Sequence, residues 1–150
     1  ALSSDAQGIR VLFHHLREAD VYTRFFLHVC GLSNAEVQRL CNLNYENEVA
    51  FVATAGPREA AQIVAQACYF INPTTNLADT AFMVHPDWQG CGLGTALQNC
   101  MVAHAKQRGL RGFMADVLPG NTRMLRLARN GPSTVQVEKN ADSVHITQLF

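Results

Sequence analysis

A glycine-rich turn, Gln89-Gly90-Cys91-Gly92-Leu93-Gly94-Thr95, separates an apolar run that ends at Val84 from a helical pattern that begins at Leu93. Main-chain N–H groups and the positive end of a helix dipole converge at such a turn, and this arrangement suits an anion. Glycines let a diphosphate approach the main chain closely. The turn by itself is consistent with a phosphate site or with a tight strand-to-helix connection.

The spacing of the turn argues against two common nucleotide-binding loops. A P-loop requires a lysine that is missing here, and a dinucleotide-binding turn requires a third glycine where Thr95 stands. Asp116 follows about twenty residues later, as a ribose-binding acid would, but the chain has only one predicted βαβ unit. We therefore do not expect a dinucleotide fold.

Apolar periodicity on both sides of the turn predicts ten elements in the order α-α-β-β-β-α-β-α-β-β. Ser4 and Gln7 predict a capping box for a first helix from about Asp5 to Leu16. A second helix is predicted around 33–41, and a third from Leu93 to a stop at Arg108-Gly109. The remaining predicted elements are strands at 49–55, 63–71, 78–84 and 113–118, a short helix at 124–128 that ends before Gly131-Pro132, and strands at 134–137 and 144–149. This order predicts an α/β sheet that mixes hairpins with parallel crossings.

The composition predicts one cytoplasmic domain. The chain has 150 residues, 48% of them apolar, which is enough for a single core. Twelve basic residues balance twelve acidic ones, so we expect no nucleic-acid partner. The five cysteines and six histidines lack metal-ligand spacing, and no segment has the length or pattern of a membrane span or signal peptide. We expect no metal and no membrane partner.

The spacing Gln89-x-x-Gly92-x-Gly94 resembles the Q/R-x-x-G-x-G/A coenzyme A signature of the GNAT acetyltransferases, and the predicted element order resembles their fold. Residues 22–26 (YTRFF), 84–90 (VHPDWQG) and 121–128 (NTRMLRLA) are similar to the bacterial protein-lysine acetyltransferase (Pat) branch. The resemblance implies acetyl-CoA as cosubstrate and direct attack by a primary amine, with a protein lysine favoured, for example on an acyl-CoA synthetase. No metal or covalent intermediate is implied.

The resemblance also implies roles for individual residues. The main-chain N–H groups of 89–95 would hold the pyrophosphate, Met83 and Val84 would pair with pantetheine through their main chains, and Asn121 would reach the coenzyme. A fixed main-chain donor near Val84 would stabilise the oxyanion that forms on the thioester carbonyl. The coenzyme-binding set is then Met83, Val84, Gln89, Gly90, Cys91, Gly92, Leu93, Gly94, Thr95 and Asn121.

Asp79 occupies the place of a glutamate that deprotonates the amine in the Pat branch, so Asp79 is the predicted general base. Its structural alternative is a strand-end aspartate that hydrogen-bonds a turn. Two departures concern the last helix. Ala128 stands where many relatives have a tyrosine acid, and Asn130-Gly131-Pro132 makes the helix end one residue shorter.

Four other residues allow a functional and a structural interpretation. Cys91 could be a nucleophile or a small residue in the turn, and His85 could be a base or a structural histidine. Arg24 could contact a ligand or pair with a surface carboxylate. Trp88 could stack on a ligand, but we expect it to anchor the turn against the core.

Two further functions remain open at this stage. The chain could be a non-catalytic acyl-CoA-binding regulatory domain, or an acetyltransferase for a small-molecule amine. The family places an edge strand before the first helix, and Ala1 to Ser4 is too short to supply it. We therefore expect the first edge strand to be missing and residues 1–150 to be a piece of a longer protein.

Overall fold

Six strands form one mixed sheet in the computed structural model, which describes residues 1–16, 35, 38, 41–131 and 133–150. All six were predicted, each to within a residue or two. The strands are β1 (Glu48–Ala55), β2 (Gln62–Asn72), β3 (Leu77–Val84), β4 (Gly112–Val117), β5 (Thr134–Lys139) and β6 (Val144–Leu149), in the spatial order β1-β2-β3-β4-β6-β5.

The pairing of β3 with β4 decides the shape of the sheet. Every other neighbouring pair of strands is antiparallel, whereas β3 and β4 are parallel. Their pairing covers only Leu77–Asp79 against Gly112–Met114. Beyond Asp79 the two strands separate, although each stays paired with its other neighbour. The sheet is therefore open between residues 80–84 and 115–117.

Helices pack on both faces of the sheet. On one face, α1 (Ala6–His15) buries Ile9, Leu12 and Phe13 against Met83. On the other, α2 (Leu93–Gln107) covers β2 and β3, and α3 (Thr122–Arg129) covers β4 and β6. The alternation of side chains along each strand explains this layering, because successive residues face opposite helices.

Some expectations are corrected and some fall outside the described residues. Ser4 does not cap α1; it lies within a 3₁₀ turn, Ser3–Asp5, where the Leu2 N–H donates to Asp5 Oδ2 at 2.6 Å. Residues 1–5 form no strand. The aromatic segment 22–26, including Arg24, most of the predicted second helix and Pro132 lie outside the described residues.

The described part of the chain contains no helix with the length and apolar character required to cross a membrane. It also contains no group of three or more histidine, cysteine, aspartate or glutamate side chains that could hold a metal ion.

Candidate active site

The opening between β3 and β4 is a cavity of about 420 Å³, within the range of small-molecule sites. Elements from both sides of the sheet contribute to its wall. Of the residues predicted to bind coenzyme, the cavity brings together Met83, Val84, Gln89, Gly90, Gly92, Gly94, Thr95 and Asn121. Cys91, Leu93 and Asp79 do not line it.

The glycine turn has the geometry that a phosphate requires. Gly90 and Gly92 have φ values of +75° and +85°, which L side chains rarely adopt. The first hydrogen bond within α2 runs from the Ala96 N–H to Gly92 O at 3.0 Å. The N–H groups of residues 93–95 therefore lack a partner within the helix and point out of its N-terminus. Because Gly94 and Thr95 also line the cavity, these donors can bind an anion there.

The Gln89 side chain links the glycine turn to β3 and to α3. Its Nε2 donates to Val84 O at 3.0 Å, and its Oε1 accepts from Arg123 Nη1 at 2.6 Å. Cys91 does not line the cavity, and its exposed Sγ donates to Trp88 O at 2.7 Å. Cys91 therefore has a structural contact in the turn, as its non-catalytic interpretation predicts.

The main chain of β3 presents donors to the opening at alternate residues. The His85 N–H donates to Val64 O at 2.8 Å, which makes His85 and Val64 a hydrogen-bonded pair of the antiparallel ladder. Such pairs alternate along a ladder, so Met83 also bonds to β2, whereas Phe82 and Val84 direct their N–H and C=O groups away from it. The groups available to pantetheine are therefore those of Phe82 and Val84. Met83 lines the cavity, but its main chain is directed at β2.

The helix α3 contributes one predicted residue and two unpredicted residues to the cavity lining. Asn121 is its N-cap and accepts from the Met124 N–H at 3.2 Å, while also lining the cavity. Arg123 and Arg126 line the cavity as well, and sequence analysis missed them. Their spacing of three residues places them on one face of a helix, which is the signal that could have identified them. Two guanidinium groups suit the phosphates of a coenzyme.

Asp79 lies at the inner end of the opening, in the last residue pair that joins β3 to β4. It is an exposed residue, yet partial desolvation of its carboxyl group raises its pKa, and the negative charge of Asp116 raises it further. His145 acts in the opposite direction. A raised pKa suits a general base, and the role of Asp79 stays a prediction.

The contacts of His85 and the exposure of Trp88 bear on the two interpretations of each residue. His85 Nδ1 accepts from the Asp87 N–H at 3.1 Å, and the His85 ring packs on His15 with centroids 4.9 Å apart. These contacts support the structural interpretation of His85. Trp88 is 41% exposed, so the expectation that it anchors the turn against the core is wrong. The short 3₁₀ turn Pro86–Trp88 places the ring at the surface instead.

Ala128, which stands where many relatives have a tyrosine acid, packs in an apolar cluster. Ala128 is buried between α3 and the sheet, in contact with the cluster that contains Ala115, Val117 and Ile146. Ala128 therefore places no proton donor at that point.

Known proteins resemble the chain in sequence and in fold. The model of the acetyltransferase (GNAT) family matches residues 19–131. The crystal structure of the GNAT domain of S. lividans PAT matches with a TM-score of 0.87 at 26% identity, over 99% of this chain and 87% of that one.

Two further structures share the fold at lower identity. A mutant cAMP-binding acyltransferase from Mycobacterium smegmatis has a TM-score of 0.63 at 22% identity, over 100% of this chain but 42% of that one. This chain thus spans less than half of that acyltransferase. The yncA protein of Salmonella typhimurium, solved with acetyl-CoA, has a TM-score of 0.73 at 16% identity, over 99% of this chain and 88% of that one.

Proposed function

The chain belongs to the GNAT acetyltransferase family, and from that premise we propose that this acyl-CoA-dependent N-acyltransferase moves the acetyl group of acetyl-CoA to a lysine side chain of a protein. The likeness to the GNAT domain of S. lividans PAT supports this acceptor class. So do the sequence segments similar to the Pat branch.

One observation carries the proposal: the glycine turn and the main chain of β3 meet at a single opening in the sheet. The turn offers N–H donors at the start of α2, and Val84 and Phe82 direct main-chain groups into the same cavity. A coenzyme held by its diphosphate at the turn would run along β3 toward Asp79. Arg123 and Arg126 would face its phosphates.

The chemistry assigned to this arrangement is direct transfer. The amine nitrogen attacks the thioester carbonyl, and the Val84 N–H is placed to donate to the oxygen as it becomes negative. Val84 O is already engaged by Gln89, which leaves the N–H as the functional group of that residue. Asp79 takes the proton that the amine loses, and the coenzyme leaves as a thiolate whose ordinary pKa is about 8.5.

A second candidate, a non-catalytic acyl-CoA sensor, is favoured by two observations. Ala128 supplies no proton donor, and Asp79 does not line the cavity. This candidate keeps the coenzyme site and predicts binding without amine-dependent thiol release.

The test has two stages. Calorimetric titration with acetyl-CoA first measures binding, which both candidates require. Thiol release is then followed with acyl-CoA synthetases, with Nα-acetyl-lysine amide and with polyamines as acceptors. Release that depends on the protein lysine, with acetylation located by mass spectrometry, supports the proposal. Binding without release from any acceptor favours the sensor, and turnover restricted to polyamines assigns a small-molecule substrate.

A further inference from the structure

Three polar side chains project from the α1 face of the sheet beside the opening. Residues paired directly across a ladder point to the same face, and so do residues two apart on one strand. Asp79 pairs with Met114, Asp116 lies two residues beyond Met114, and Asp116 pairs with His145. Asp79, Asp116 and His145 therefore share one face, opposite the core under α2 and α3.

Asp116 and His145 are joined by a short hydrogen bond. Their Oδ1 and Nδ1 atoms are 2.6 Å apart. The Phe150 N–H donates to Arg111 O, and alternation along the ladder makes Asp116 and His145 a non-hydrogen-bonded pair, in which side chains lie closer together. Because a carboxylate accepts, Nδ1 carries the hydrogen. This bond orients the Asp116 carboxyl group and leaves Oδ2 for another donor.

The acidic and basic side chains that line the cavity lie on opposite faces of the sheet. Among the described residues that line it, Asp116 is the acidic one, and the basic ones are Arg123 and Arg126. The arginines belong to α3, on the face opposite the Asp116 side chain. Phosphates are thus expected on the α3 side. An ammonium group on the α1 side of the cavity would therefore face Asp116, whereas Asp79 does not line the cavity.

We propose that Asp116, oriented by His145, binds the ammonium group of the acceptor amine and positions it for attack. This assignment rests on the direct attack proposed above. Once bound, the ammonium gives one proton to Asp79 or to solvent, and its lone pair becomes available. The new C–N bond forms, the C–S bond breaks, and the thiolate takes up a proton as the second amine proton is lost. His145 is a positioning residue.

Glu138, a second carboxylate beside His145, provides a matched control. Glu138 pairs with His145 on its second neighbouring strand, so His145 lies between Asp116 on β4 and Glu138 on β5. Glu138 does not line the cavity. A change at Glu138 therefore removes a carboxylate beside the same histidine without touching the proposed amine site.

The test measures amine binding separately from turnover. Nα-acetyl-lysine amide is titrated into the protein–CoA complex, and binding is followed by NMR chemical shifts. We expect saturable binding that Asp116→Asn weakens about tenfold, since a charge-assisted hydrogen bond is lost. Glu138→Gln should bind as the wild type does, and each variant should bind CoA normally. Equal affinity of Asp116→Asn and wild type, or no saturable binding by the wild type, overturns the proposal.

Two further readouts test the positioning role of His145. Nitrogen NMR of the neutral ring should show the hydrogen on Nδ1 in the wild type and a shift toward the Nε2–H form in Asp116→Asn. With any acceptor that is turned over, His145→Gln should raise the acceptor KM while kcat changes less than threefold. A wild-type ring protonated at Nε2 contradicts the orientation argument. Asp116-dependent binding without turnover would count against the proposed function and not against this site.

Discussion

Gln89 Nε2 donates to Val84 O at 3.0 Å, so the residue that begins the glycine turn also holds the strand end that faces the cavity. The same side chain accepts from Arg123 on α3. One glutamine therefore links β3, the turn and α3. This link places the phosphate donors and the main-chain donors of β3 at a fixed separation.

We expect Gln89→Ala to weaken coenzyme A binding about tenfold, because it removes a hydrogen bond on each side of the turn. Calorimetric titration measures the change. Gln107→Ala makes the same substitution at the exposed C-terminal end of α2, far from the cavity, and should bind as the wild type does. Equal affinity in both variants would contradict the role assigned to Gln89.

Gly92→Ala should lower both stability and coenzyme affinity. Gly92 has φ +85°, and a Cβ there would meet nothing within 4 Å, so the cost to stability is backbone strain of about 1–2 kcal/mol. Gly109→Ala is a matched control, with φ +75° and equal space, outside the cavity. Urea unfolding should show a similar loss in both variants, whereas calorimetry should show weaker coenzyme binding only in Gly92→Ala. A loss of affinity in both would mean that strain acts globally.

Asp79→Asn should reduce kcat about a hundredfold, since a positioned general base typically contributes that much. Asp79→Glu should keep most of the activity. In the wild type the rate should fall as the pH drops through the pKa of Asp79, which desolvation and Asp116 place above the ordinary value of about 3.9. The pH profile of kcat/KM checks this. An unchanged acid limb in Asp79→Asn would exclude Asp79 as the group that titrates.

The raised pKa of Asp79 also has a consequence for stability. The folded protein holds the Asp79 proton more tightly than the unfolded chain does, so this contribution to stability is fully present below about pH 3.9 and is lost as the pH rises through the folded pKa. Asp79→Asn removes that loss. We expect the free energy of unfolding of the variant, relative to that of the wild type, to be larger at pH 7 than at pH 3, because only the wild type loses stability between these pH values. Urea unfolding at the two pH values measures it.

Gly112→Ala should destabilise the fold by about 3 kcal/mol or more, as overpacking against main chain does. A Cβ at Gly112 would lie 2.2 Å from Gln148 O, a main-chain atom of β6 that cannot move without breaking the ladder. Gly120→Ala should cost little, because a Cβ there meets nothing within 4 Å. Comparable unfolding midpoints for the two variants would show that β4 and β6 can separate more easily than their register suggests.

The coenzyme side of the site follows from local patterns. The glycine turn, the strand before it and the helix after it are contiguous, so their residue types predicted a phosphate cradle that the cavity lining now includes. Asn121 was predicted by resemblance and lies there too. The prediction of a capping box at Ser4 and the prediction that Trp88 packs against the core were both wrong, for a related reason. Each depended on how a short 3₁₀ turn packs, and short sequence motifs do not determine that packing.

By itself, the sequence determined the strands and helices of the core and the glycine turn, because hydrophobic periodicity and turn chemistry act over a few neighbouring residues. Only the tertiary structure decided where β3 and β4 part, which brings Asp79, Asp116 and His145 onto one face. It also decided that Val84, and not Met83, directs its main chain into the opening. These features depend on ladder register between strands distant in the chain, and register is set by packing across the whole sheet.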